Sequence, residues 1–258
     1  MIEIKLTNLS VDFPIYQASA RSIKKEFLTI ATGGKIVSGK NETMVVRALS
    51  NLNIDIVEGE RVNLIGHNGS GKSTLLRTLA GVYKPTAGRI TTTGRIGTLL
   101  DSFIGIDLDA TGVENITARG LCLGLTIADI NSKIAEVAEF SQLGAFLELP
   151  MRTYSAGMQT RLAFSISTLI RPDILLLDEG ISAGDASFIQ RASARLNSFI
   201  SKAGILVLAS HDVSLARRLC NRAIVLTHGS VVFDGSLEEG IKYYNGVVAT
   251  PPKAEFVF

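Results

Sequence analysis

The stretch Gly66-His67-Asn68-Gly69-Ser70-Gly71-Lys72-Ser73-Thr74 matches the pattern G-x-x-x-x-G-K-[ST] at every fixed position. A strand-like run, Arg61-Val62-Asn63-Leu64-Ile65, leads in. A helix-like run, Leu75-Leu76-Arg77-Thr78-Leu79-Ala80, leads out and stops at Gly81. Glycines let a backbone wrap an anion, and N–H groups at a helix start point at phosphate oxygens. Lys72 is placed to reach the β- and γ-phosphates of a nucleotide, and the Ser73 hydroxyl to ligate Mg²⁺. The whole loop, residues 66–74, is the candidate cradle. The pattern says phosphate and nothing about what the energy is used for.

Outward from this loop, short strands alternate with longer helical runs. Upstream, Ile2, Ile4, Leu6 and then Val11 and Phe13 read as strand, as do Met44-Val45-Val46-Arg47-Ala48-Leu49 and the alternating Leu52, Ile54 and Ile56. Residues 22–30 are compatible with a short basic helix ended by Gly33-Gly34. Downstream, Thr111-Gly112-Val113-Glu114 fits a capping box that opens a helix. Ile127, Ile130, Ile134 and Val137 recur at helical spacing, and a helix containing Phe164 and Leu169 is expected to end at Pro172. Ile174-Leu175-Leu176-Leu177 and Ile205-Leu206-Val207-Leu208 lack polar alternation, which marks parallel strands buried on both faces. Residues 186–202 read as the helix between them. Residues 223–226 and 231–233 flank Thr227-His228-Gly229-Ser230, a hairpin signal. Such alternation indicates an α/β core. The expectation is one domain over residues 1–258, with a helical subdomain inserted at about 109–170 and a tail from about 236 to 258.

Composition narrows the function. Hydrophobic residues make up 46% of the 258, enough for a substantial core. The net charge of +2 argues against a strong general attraction to nucleic acid. Cys122 and Cys220 are isolated, fit no metal spacing and suit a reducing cytosol. The first six residues alternate and carry charge, unlike a signal peptide. Apolar stretches such as residues 162–170 are far too short to cross a bilayer, so spans for membrane work must come from another polypeptide.

Three further elements carry chemistry. The strand Ile174-Leu175-Leu176-Leu177 ends in Asp178-Glu179. Asp178 is a candidate ligand for Mg²⁺, directly or through water, and Glu179 a candidate base for the attacking water. Tyr154-Ser155-Ala156-Gly157-Met158-Gln159 precedes a helix, so Ser155 and the helix-start N–H groups form a second anion cradle or a simple N-cap. A second cradle in one chain finds its use on the nucleotide of another copy. Ser210-His211-Asp212 closes the next buried strand, and His211 is a candidate γ-phosphate donor or water-positioning group. His67 and His228 read as a variable loop position and a turn.

In this order, these elements resemble an ABC-transporter nucleotide-binding subunit over nearly the whole chain, from about Ile2 to Phe233. Residues 66–74 match the Walker A element. Ser155-Ala156-Gly157-Met158-Gln159 resembles the LSGGQ signature, with Tyr154 for Leu, Ala156 for Gly and Met158 for the final Gln. Asp178 and Glu179 match the Walker B acid and catalytic Glu, Ser182-Ala183-Gly184-Asp185 the D-loop, and His211 the switch histidine. The implied fold is an ABC ATPase: an α/β fold with a P-loop core of mainly parallel sheet, an antiparallel β subdomain and a helical subdomain. The resemblance implies ATP and Mg²⁺ as ligands. It also implies a head-to-tail dimer in which each ATP sits between one Walker A and the partner's signature and D-loop.

Several departures from the family pattern resemble polysaccharide exporters of the O-antigen, capsule or teichoic acid type. Asp101 stands where Gln is usual and is an additional candidate Mg²⁺ ligand. Asp109-Ala110-Thr111-Gly112-Val113-Glu114-Asn115-Ile116, the Tyr-Ser-Ala-Gly-Met signature and Asp12-Phe13-Pro14-Ile15-Tyr16 point the same way. Tyr16 is the candidate for stacking on adenine, with Phe13 as competitor. The expectation is an ATPase at the cytoplasmic face of a bacterial inner membrane, powering export of a lipid-linked polysaccharide through a separate permease. No carbohydrate-binding domain is expected after the ATPase. A drug, peptide or lipid cargo is the alternative, and a soluble protein acting on nucleic acid a further one. The basic segment 21–30 serves either a membrane-subunit contact or a solvated face.

Overall fold

The computed structural model describes residues 1–15, 36–38, 44–99, 105–178 and 186–249. The expected helix at 22–30 lies outside these. The chain divides into two units: Met1–Gly94, Leu177–Glu179 and Gly204–Phe258 form one, and Arg95–Leu176 and Gly180–Ala203 the other.

In the first unit, β1 (Glu3–Pro14), β2 (Ile36–Ser38), β3 (Met44–Val57) and β5 (Ala87–Thr93) make an antiparallel sheet of order β2-β3-β1-β5. β1 and β3 are each continuous, as the sequence suggests, but their alternation is shifted by bulges. Asn8 and Asn51 adopt left-handed backbone at φ 50 and 51, and the register shifts beside them. Each extra residue switches the face on which alternate side chains lie. The buried series therefore runs Ile4, Leu6, then Leu9, Val11 on β1, and Val45, Leu49, then Leu52, Ile54, Ile56 on β3.

The same unit holds β4 (Arg61–Ile65), β8 (Ile205–Ala209), β9 (Arg222–Thr227) and β10 (Ser230–Ser236) in the order β10-β9-β4-β8. β4 runs parallel to both β8 and β9, and β9 to β10 is the expected hairpin. β8 is buried throughout, as its unbroken apolar run requires. At the starts of β4 and β9, Arg222 donates to both carboxylate oxygens of Asp234 at 2.7 Å, to Glu60 at 2.8 and 2.9 Å, and to Asp55 O at 2.7 Å. Asp234 foremost, then Glu60, raises the Arg222 pKa, so this half-buried fork stays charged and pins the strands that carry the phosphate loop. Helices α1 (Lys72–Leu79), α6 (Val213–Leu219) and α7 (Leu237–Ala249) also belong to this unit. Leu237 and Ile241 of α7 pack with Ile65, Ala216, Ala223 and Val225.

In the second unit, β6 (Ile96–Thr98) pairs in parallel with β7 (Ile174–Asp178), whose last two residues belong to the first unit. The second unit's other described elements are α2 (Gly112–Cys122), α3 (Ile127–Ser141), α4 (Ala156–Ser167), α5 (Ala186–Lys202) and two short 3₁₀ turns. The Thr111–Glu114 capping box forms as its spacing predicts, and a second joins Thr126 and Asp129. Helix α4 ends at Ser167, short of Pro172. The Thr168 hydroxyl donates back to the carbonyls of Phe164 and Ser165 at 2.9 and 3.2 Å, closing the last turn before the proline is reached. The helical core gathers Ile116, Ile130, Val137, Met151, Leu162 and Ile166. Among the described residues, no helix is long and apolar enough to cross a membrane.

Candidate nucleotide-binding site

The site begins with strand β4. Val62 and Leu64 are buried in the sheet, and the strand ends at Ile65. A side chain at position 66 is excluded by close approach: a Cβ there would lie 2.3 Å from Leu226 O and 2.5 Å from Ser70 Oγ. Glycine thus lets the loop fold over the end of β9. Ser70 is fully buried beneath the loop, and its hydroxyl has no hydrogen-bond partner among the described residues. The loop then enters α1, which Leu75 and Leu76 anchor in the core.

The start of α1 is unusual. Its N-cap is Gly71, and no side chain among the described residues caps it. The first N–H groups of a helix need an acceptor from elsewhere, and an anion is a natural one. These groups border a cavity of about 350 Å³ lined by Val46, Ala48, Asn68, Gly69, Gly71, Lys72, Ser73, Thr74, Asp178 and His211. Lys72 Nζ donates to Gly66 O at 2.6 Å and to His67 O at 3.3 Å, so the ammonium lies within the loop it would serve. His67 Nδ1–H donates to Asn68 O at 2.8 Å.

Two strand ends bring the remaining groups. Asp178 is the last residue of β7, half-buried on the cavity wall. His211 follows β8 and is held from both sides. Before it, the buried Ser210 accepts the Asp212 N–H at 3.0 Å. After it, the Asp212 carboxylate caps α6 by accepting from Ser214 and Leu215 N–H at 2.8 and 3.1 Å. The donor set fits Mg²⁺ chemistry. Ser73 and Asp178 supply one hydroxyl and one carboxylate, and no cluster of three or more His, Cys, Asp or Glu exists among the described residues. Mg²⁺ usually takes only one or two carboxylates and completes its shell with phosphate and water.

Tyr16, Asp101, Glu179 and Asp185 lie outside the described residues. Ser155, Ala156 and Gly157 belong to the second unit, at the start of α4. There the Ser155 hydroxyl accepts the Met158 N–H at 3.3 Å. Tyr154 is 6% exposed, and its hydroxyl donates to Phe146 O at 2.5 Å. Burial raises the Tyr154 pKa, so the phenol stays neutral. It is a core residue of the helical unit. Phe13, the competitor for adenine, packs edge-on against Tyr83 at 5.1 Å and does not line the cavity. Val46 and Ala48 do line it, and nothing in their strand pattern signals this.

A glycine-capped phosphate loop on an α/β core, with an acid and a histidine at neighbouring strand ends, defines a nucleotide-binding domain. The chain belongs to the ABC transporter family, whose model matches residues 49–182. It is therefore an ATP-binding cassette and a transport ATPase. It is 42% identical to the O-antigen export system ATP-binding protein RfbE of Yersinia enterocolitica over 238 residues, 92% of this chain and 99% of that one. It is 36% identical to the O-antigen export system ATP-binding protein RfbB of Myxococcus xanthus, covering 89% of this chain and 53% of that longer relative. Among solved structures it is similar to the dimeric ATP-binding cassette MJ0796 in a post-hydrolysis state bound to ADP and Pi. That match has a TM-score of 0.63 at 23% identity and covers 91% of this chain and 98% of that one.

Proposed function

We propose that this chain is the ATP-hydrolysing subunit that powers export of a lipid-linked, O-antigen-like polysaccharide through a separate transmembrane permease. The observation that carries the reading is the 42% identity to an O-antigen export ATP-binding protein across 99% of its length. The whole of residues 1–258 acts as one ABC ATPase domain, with the helical part at about 109–170 inserted in the α/β core. It sits peripherally at the cytoplasmic face of a bacterial inner membrane and meets the glycan only through the permease.

In this reading the loop N–H groups and Lys72 hold the β- and γ-phosphates, and Tyr16 stacks on adenine. Ser73 and Asp178, with Asp101, hold Mg²⁺, which supplies neutralisation of phosphate charge when bound. Glu179 takes a proton from the attacking water, and His211 donates to the γ-phosphate and fixes that water. Ser155, Ala156, Gly157 and Asp185 of a second copy close the site head to tail. Closure of this kind depends on the γ-phosphate, and its loss on hydrolysis lets the pair reopen.

A deletion strain tests the cargo. Loss of the polymeric surface glycan, with its lipid-linked precursor retained inside, is expected. A normal surface polysaccharide profile contradicts the reading.

A further inference from the structure

The turn of the β9–β10 hairpin lies against the phosphate loop. His228 and Gly229 are its central residues, with φ 48 and 80, the pair of positive values that a two-residue hairpin of matching twist requires. Gly229 bonds in two directions. Its N–H donates to Ser70 O of the phosphate loop at 2.8 Å, and its carbonyl accepts from Ser50 N–H of β3 at 2.8 Å. The fit leaves no room for a side chain, since a Cβ on Gly229 would lie 2.5 Å from Ala48 O. The His228 ring stands 5.1 Å, centre to centre, from that of His67 within the loop. Neither turn residue lines the cavity.

We propose that His228 and Gly229 are positioning residues for the phosphate loop, setting its affinity for the phosphates of a nucleotide without touching them. The physical reason is preorganisation. A cradle built from backbone N–H groups works only if those groups already converge, and a loop free to rearrange loses affinity to its own entropy. The carbonyl of Ser70, in the middle of the loop, is held by a group from a hairpin whose strands are paired into the sheet. The same hairpin turn grips β3, whose Val46 and Ala48 also line the cavity. One turn therefore ties the cradle to the β3 residues that line the cavity with it. The inference rests on the nucleotide site described above.

The test compares variants at the exposed turn position. His228→Pro cannot adopt φ 48, because proline is confined near −65°. His228→Asn favours the turn and keeps the Gly229 bonds. Dissociation constants for ATP and ADP are measured by calorimetry on purified full-length protein, with thermal midpoints recorded without nucleotide. Both nucleotides are expected to bind about tenfold more weakly to His228→Pro and to Gly229→Ala, and within about twofold of wild type to His228→Asn. The KM for ATP should rise while kcat at saturation holds. A purely structural defect instead lowers kcat through lost active protein and leaves KM alone. Wild-type affinity in His228→Pro and Gly229→Ala, with affinity lost in Lys72→Ala, overturns the positioning role alone. Wild-type affinity in Lys72→Ala overturns the site reading and the positioning role with it.

Discussion

Helices α1 and α4 begin in opposite ways. α1 starts at Gly71 with no side-chain cap, and its N–H groups border a cavity. α4 starts at Ser155, whose hydroxyl accepts the Met158 N–H. Three other helices, α2, α3 and α6, are also capped by their own side chains. Among these five described starts the uncapped one is the exception, and it marks the helix with an acceptor still to come. The capped start of α4 carries a different lesson. A serine cap is worth about 1 kcal/mol, whereas truncating a buried leucine or isoleucine costs about 2–5 kcal/mol. Leu162 and Ile166 of α4 are fully buried, so packing holds this helix with or without its cap. The Ser155 hydroxyl accepts the Met158 N–H and keeps its own proton to donate to a phosphate of another copy's ATP, which is what the proposed dimer asks of it.

The contrast can be broken from either side. Lys72→Ala removes the charge beside the uncapped start and should weaken ATP binding about a hundredfold, through lost charge-assisted hydrogen bonds. Calorimetry checks this, and a change below about threefold would remove the distinction between the two helix starts. Ser155→Ala should act on stability alone in the monomer. We expect a loss of about 1 kcal/mol and a thermal midpoint lower by roughly 2–4 °C, with monomer ATP affinity unchanged. Weakened monomer binding would mean that α4 serves its own chain's nucleotide.

The smallest effect concerns the capping boxes. The Thr111 N–H and hydroxyl hold the Glu114 carboxyl below its ordinary pKa, and the Thr126 hydroxyl and N–H do the same for Asp129. A carboxylate whose folded pKa is depressed contributes stability above its unfolded pKa and loses it as pH falls through the folded value. The helical unit should therefore weaken as pH drops below the ordinary carboxylate range. Glu114→Gln should flatten that acid limb in a pH series of thermal midpoints. An identical limb would show that the box carries no linked proton.

Local pattern made much of this legible in the sequence. The phosphate loop, the hairpin over residues 227–230, the buried parallel strands and the capping box at Thr111 all depend on neighbours within a few positions. What escaped was made by distance. His228 reads as an ordinary turn residue because His67, whose ring it meets, lies far away in sequence. Val46 and Ala48 look like any strand residues until β3 is set beside the loop. Tyr154, read as part of a signature, is a core residue because Phe146 O is there to receive its hydroxyl. The bulges of β1 and β3 also escaped, since a left-handed asparagine shifts the alternation without ending the strand.

The central claim is that ATP held at α1 of one copy is closed over by α4 of another. It is tested most directly by measuring the mass of purified Glu179→Gln protein in solution, with and without ATP. The account predicts an ATP-dependent dimer for Glu179→Gln. For the Glu179→Gln/Ser155→Arg double variant it predicts a monomer that still binds ATP. A double variant that dimerises with ATP as readily as Glu179→Gln would contradict it.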